Sequence, residues 1–163
     1  MSYIEEQYEK YMEGLTGSTQ RTYIQKRLID QINWYDNVAA KKQKNYKVLM
    51  GISIVLTAII PVFSLFTTFS YGVVFSAVIA VLSGSATAVT SIANLCEYQK
   101  LWVQYRSNCE LLKSMLHRYF TSTGEFCNRT DDEKFNLLVA LSEEYLINEF
   151  RVWSELSHNV ENS

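Results

Sequence analysis

Residues 48–96, VLMGISIVLTAIIPVFSLFTTFSYGVVFSAVIAVLSGSATAVTSIANLC, hold 49 consecutive positions without Asp, Glu, Lys, Arg or His. One helix needs about 20 apolar residues to cross a hydrocarbon core about 30 Å thick, so the stretch has room for two crossings and a short turn. Charge stops and restarts abruptly: Lys41, Lys42, Lys44 and Lys47 precede the run, and Glu97 and Lys100 follow it. The mean hydropathy of −0.06 conceals this contrast by averaging an apolar middle with polar flanks. The competing reading is a buried hairpin in a soluble helical protein. Covering both helices on every face would demand far more surrounding chain than 163 residues supply. A signal peptide is not expected, because the run begins well inside the chain, behind a charged segment and without a small-residue cleavage site near the N-terminus.

The flanks read as helix. Residues 1–20 form an N-terminal segment in which Tyr3, Ile4, Tyr8, Tyr11 and Met12 suggest a short amphipathic helix ahead of the break Thr16-Gly17-Ser18-Thr19. Residues 21–163 are expected to form a single domain. Ile24, Leu28, Ile32, Tyr35, Val38 and Ala39 recur at helical spacing, predicting a helix over 21–45 that runs without a breaker into a first span, 46–66. Pro61 should kink that span or be accommodated by neighbouring groups. The turn is placed at 67–72 and the second span at 73–95. An unbroken helical extension over 96–120 follows, with Leu101, Trp102, Tyr105, Leu112 and Leu116 in helical register. A loop over 121–130 precedes a last helix, 131–158, which Thr130 and Glu133 should open as a capping box. Its stripe of Phe135, Leu138, Tyr145, Leu146 and Trp153 needs an apolar partner outside the bilayer.

Short loops rich in Lys and Arg stay cytoplasmic, and the turn between the spans is uncharged, which predicts a multi-pass protein of the plasma (inner) membrane with both termini in the cytoplasm. Tyr46 and Trp102 then mark the inner boundary and Phe69 and Tyr71 the outer one. Net charge of −2 argues against a nucleic-acid partner. Cys96, Cys109 and Cys127 are widely spaced, suggesting neither a disulfide framework nor a zinc site, and are read as reduced thiols. No phosphate loop, H-E-x-x-H or G-x-S-x-G occurs, and His117 and His158 stand alone, so neither an enzyme nor a cofactor or metal site is expected. Asn128-Arg129-Thr130 matches a glycosylation sequon but falls on the predicted cytoplasmic side.

On the second span Ser76, Ser83, Thr87, Thr90 and Asn94 share a sector of about 60° at about 100° per residue. Such a face can line an aqueous pore in an oligomer, with hydroxyls and a carboxamide replacing ion hydration. It can equally pack helices closely through small side chains, the commoner use. Asp36 and Arg106 lie at matched distances outside the two spans and are expected to pair. Glu149 falls on the last helix's apolar stripe, where either a cation such as Arg106, Lys113 or Arg118 answers it or it reaches solvent from an edge position.

The pattern Gln31-x-x-Trp34-Tyr35-Asp36, Trp102-x-x-Tyr105-Arg106, Glu110-x-Leu112-Lys113 and Glu149-x-x-x-Trp153 resembles the SLATT family over about residues 20–157. These are bacterial two-transmembrane effector domains with long cytoplasmic helices, and they include short stand-alone proteins classed only as a domain of unknown function. The resemblance implies a membrane effector of nucleotide-signalling conflict systems that forms pores or otherwise compromises the membrane. It also implies that Trp34, Asp36, Trp102, Arg106, Glu110, Glu149 and Trp153 build the core of the cytoplasmic bundle. The expectation is an all-α membrane protein, a two-transmembrane hairpin continuing into a cytoplasmic helical bundle, assembled as a homo-oligomeric pore or channel-type effector for ions. The alternative is a membrane-anchored interaction module whose cytoplasmic helices bind a protein partner. A small transporter ranks third, for want of an intramembrane carboxylate.

Overall fold

The computed structural model describes residues 3–13, 15, 17–68 and 72–161, with side chains described from Glu6 to Arg151. Among the described residues all regular structure is helical. The helices are α1 (Tyr3–Glu13), α2 (Ser18–Tyr23), α3 (Asp30–Ser64), α4 (Gly72–Leu95), α5 (Tyr98–Thr121) and α6 (Asp131–Glu161). By packing the chain divides into two compact units: residues 36–106, and residues 1–35 with 107–163. The division has a physical reason, since the two apolar helices pack on each other while the remaining helices enclose a core of their own.

In the unit of residues 36–106, α3 and α4 are both long and apolar enough to cross a membrane. They run antiparallel along a seam of small residues. Ala86 and Ala93 are buried there, and the Ser53 hydroxyl lies 2.8 Å from the hydroxyl of Thr90, whose proton goes to the Ala86 carbonyl at 3.0 Å. Small side chains let two backbones approach, and hydroxyl pairs then add directional contacts. At one end of the seam Phe75 packs on Phe63 and Phe66 with ring centroids 6.0 and 5.5 Å apart. At the other, Tyr46 donates to Gln99 Oε1 at 3.1 Å and Lys42 Nζ sits 5.4 Å from the centre of the Tyr98 ring.

Pro61 lies within α3, three residues before its end. Hydroxyls serve the carbonyls that the ending helix leaves over: Ser64 donates to Pro61 O at 2.7 Å, Thr67 to Ser64 O at 2.7 Å and Thr68 to Leu65 O at 3.3 Å. A 3₁₀ turn, Leu65–Thr68, follows. The expected aromatic markers Phe69 and Tyr71 lie outside the described residues. Gly72 opens α4 so close to the preceding turn that a Cβ there would sit 2.2 Å from the Thr67 carbonyl oxygen.

The extension expected over 96–120 is not continuous with α4. The helix stops at Leu95, and Glu97 takes a left-handed conformation with φ of 46° before α5 begins at Tyr98. The Glu97 amide turns back to Asn94 O at 3.0 Å. Glycine is the usual residue for such a helix end, so a glutamate gave no signal in the sequence.

In the other unit α2 passes into a π-helical turn, Ile24–Ile29. That turn places Ile24, Leu28 and Ile29, with Ile32 beyond it, on the buried side. Cys109, Leu112 and Leu116 of α5 and Leu138 of α6 are buried in the same unit, all at 2% exposure or less, and Cys109 Sγ lies 3.7 Å from the Ile32 carbonyl oxygen. Tyr8 and Met12 of α1 are buried as well, and Tyr8 and Tyr11 stack on Phe120 at 5.9 and 5.2 Å. A Schellman end follows α5: Thr123 N–H bonds Arg118 O, Ser122 N–H bonds Tyr119 O, and Ser122 carries the positive φ of 52°. The capping box at α6 is reciprocal, with Thr130 N–H on Glu133 Oε2 at 2.9 Å and Glu133 N–H on Thr130 Oγ1 at 3.4 Å. Those Thr130 donors hold the Glu133 carboxyl below its ordinary pKa.

The glycines of α4 should differ in tolerance. Gly72→Ala forces its turn apart and costs about 1–3 kcal/mol, whereas Gly84, with open space around its Cβ position, accepts Ala without loss. Thermal unfolding of the purified variants in detergent checks the contrast.

Candidate functional site

The polar sector of α4 occupies the flank of the seam and does not face a lumen within one chain. Ala86, Thr90 and Ala93 point at α3, while Ser76, Thr87 and Asn94 are exposed and Ser83 is half-buried. Beside the sector, Ala80, Gly84 and Ser91 are exposed too. Four hydroxyls are satisfied within the helix: Ser76, Ser83, Thr87 and Thr90 donate to the carbonyls of Gly72, Ile79, Ser83 and Ala86 at 2.8–3.0 Å. The Asn94 carboxamide has no hydrogen-bond partner among the described residues, which singles it out from the hydroxyls beside it.

Asp36 and Arg106 form the expected pair, with Arg106 Nη1 donating to Asp36 Oδ1 at 2.7 Å. The two side chains are 51% and 38% exposed, which places the pair among surface bridges worth about 0–1 kcal/mol. Beside it Ala39, Ala40, Gln43 and Trp102 line an open cavity of about 210 Å³. The Trp102 indole N–H is buried without a hydrogen-bond partner among the described residues.

The polar core of the other unit joins Tyr35, Tyr145 and Glu149, which the sequence marks out, to Asn108, which it does not. Glu149 is half-buried and accepts from the Tyr35 hydroxyl and the Asn108 carboxamide, while Tyr145 donates to Asn108 Oδ1 at 2.7 Å. The cations expected to answer Glu149 bond other acids: Arg106 takes Asp36, Lys113 takes Glu110 at 3.5 Å and Arg118 takes Glu125 at 2.8 Å. Neutral donors on α3 and α5 serve Glu149, in place of either the cation or the solvated edge position that the sequence left open. Trp34, expected in the core, is 50% exposed and stands edge-on to Tyr35, and Glu110 is exposed. Helical rotation explains the exchange, because the neighbour Tyr35 and not Trp34 points inward. The Trp153 side chain lies outside the described residues. Two turns earlier on α6, Arg27 grips Glu143 through two 2.9 Å hydrogen bonds, and Tyr23 donates to the same carboxylate. The Arg27 bond holds Glu143 below its ordinary pKa.

Residues 30–134 match the family described as Protein of unknown function (DUF4231). The chain belongs to this family. The matched segment takes in both apolar helices, the Asp36–Arg106 pair, the Trp102 cavity and Asn108, while Tyr145 and Glu149 lie beyond it. No curated protein and no solved structure matches the chain. Among the described residues no His, Cys, Asp and Glu side chains cluster as a metal site, and Cys96, Cys109 and Cys127 are free.

The Glu149 network has a pH signature. Burial first, and then the bond to Glu149, raise the pKa of Tyr35 above the ordinary tyrosine value. A raised folded-state value favours the native state below the unfolded value, about 10, and that contribution is lost as pH rises beyond it. Tyr35→Phe should cost about 1–3 kcal/mol at neutral pH by leaving a carboxylate oxygen unserved, and the variant should lose less stability than the parent between pH 9 and 11. Denaturant titrations at each pH measure both. Glu143 has the opposite sign: its contribution is present above about pH 4.3 and fades on acidification, so Glu143→Gln should flatten the acid limb of the stability curve in the same titrations.

Proposed function

We propose that the chain is a homo-oligomeric integral membrane protein whose α3 and α4 span the bilayer as a hairpin with both termini on the cytoplasmic side. In this reading, copies associate through the outward polar and small-residue face of α4, and the assembled faces surround a conduit for ions. The observation that carries it is that Gly84, Thr87, Ser91 and Asn94 are exposed in the single chain, with open space at Gly84. In hydrocarbon, an amide such as Asn94 gains from a partner on another helix or from water in a lumen. The four lysines before α3 and the uncharged run that follows support the orientation. The likeness to the SLATT pattern supports an effector that acts on the membrane itself.

A second reading, a membrane anchor whose other helices bind a protein partner, is favoured by one observation. Four of the five polar groups on α4 already bond their own helix, so they do not require a lumen.

Light scattering in mild detergent, followed by ion flux through liposomes, separates the two. The pore reading expects a mass of several times the 18.9 kDa chain, a shift towards monomer for Gly84→Leu, and flux that Asn94→Leu and Thr87→Leu suppress while Val81→Leu on the far side does not. A monomeric parent protein excludes the pore. An oligomer whose flux responds equally to both faces excludes this lining.

A further inference from the structure

Two sets of lysines differ in their surroundings. Lys100, Lys113 and Lys134 each bond an acid three residues earlier on the same helix, at 3.3, 3.5 and 3.2 Å. Lys41, Lys44 and Lys47 are exposed and form no ion pair among the described residues. Spaced three apart on α3, they lie within about 120° of one another and climb about 9 Å along the helix, a single basic face. It ends next to Val48, where the uncharged run begins. No acid inside the unit is free to neutralise it: residues 36–106 contain only Asp36, bonded to Arg106, and Glu97, bonded to Lys100. Six basic and two acidic residues give this unit a net charge of +4, against −6 for the remaining chain with nine basic and fifteen acidic residues.

We propose that Lys41, Lys44 and Lys47 form a binding surface for the phosphate headgroups of anionic lipids. The proposal rests on the membrane reading of α3, which sets the row at headgroup depth. Charge complementarity selects the partner, since three unpaired ammonium groups beside an apolar span meet a layer of lipid phosphates. Their flexible stems reach that layer while the helix stays upright. A free phosphate ion lacks the acyl chains that hold the lipid phosphate beside Val48, so the lipid is the ligand and the free ion is a competitor of low affinity.

Electron spin resonance of spin-labelled phosphatidylglycerol and phosphatidylcholine in liposomes containing the full chain tests this. The expected result is a motionally restricted lipid population in which phosphatidylglycerol is favoured roughly threefold to tenfold. K41Q/K44Q/K47Q should bring the ratio close to one, K41R/K44R/K47R should keep it, and K26Q should leave it unchanged. Inorganic phosphate added at constant ionic strength should not compete. A restricted population without preference, or a preference that survives the triple Gln change, overturns the lipid surface and leaves the membrane reading standing. No restricted population at all overturns both. Competition by inorganic phosphate, or by a soluble acidic peptide, would reassign the surface to a soluble anion.

Discussion

The apolar surface of α3 and α4 has to be kept from water, and within the chain little covers it. In the most apolar stretch of α3 no residue is buried, and in that of α4 only 6% are. Val73, Val81 and Leu95 are each more than two-thirds exposed. At roughly 25 cal/mol per Å² of apolar surface, leaving two such helices in water would offset the whole stability of a domain this size. Every other property of the unit follows from that constraint. Most of its hydroxyls bond the seam or their own backbone, and its charges lie outside the uncharged run 48–96.

The second unit solves the ordinary problem of a soluble helical core, with one unusual element. Its apolar layer of isoleucines and leucines is joined to a polar layer in which Tyr35, Asn108, Tyr145 and Glu149 bond one another. Such a layer adds little net stability but is intolerant of partial loss, because each group removed leaves another buried without a partner. It therefore fixes the axial positions of α3, α5 and α6 more strictly than hydrophobic contact does.

Much of this was legible from the residues. The uncharged run announced two long apolar helices, equal spacing announced the Asp36–Arg106 pair, and Thr130 with Glu133 announced the start of α6. Four things were not legible. Periodicity placed Tyr35 on the apolar stripe, where it is buried, whereas Trp34 was put in the core by the SLATT resemblance alone and stands exposed. A carboxylate on an apolar stripe can be answered by neutral donors as well as by a cation, and the sequence cannot rank the two without knowing which helices face it. The helix end at Glu97 carries no glycine or proline. Of the polar sector on α4, the composition was readable from the sequence, whereas the fact that its edge is occupied by the Ser53–Thr90 contact was not.

The left-handed residue at Glu97 separates the angular phase of α4 from that of α5. In a continuous helix the direction of Asn94 would dictate those of Trp102 and Arg106, at 100° per position. Two interposed residues remove that bond, so one leg of the hairpin orients its ends independently. The other leg has no such joint: in α3 a single angular sequence serves Asp36, Ala39, the lysine row and Ser53 together. An inserted or deleted residue between Asp36 and Ser53 would thus swing one set of contacts away from the other. A change of length at Cys96–Glu97 could be absorbed by the turn, leaving the orientations of both neighbouring helices intact. Variation in length among homologous chains should concentrate on the jointed leg.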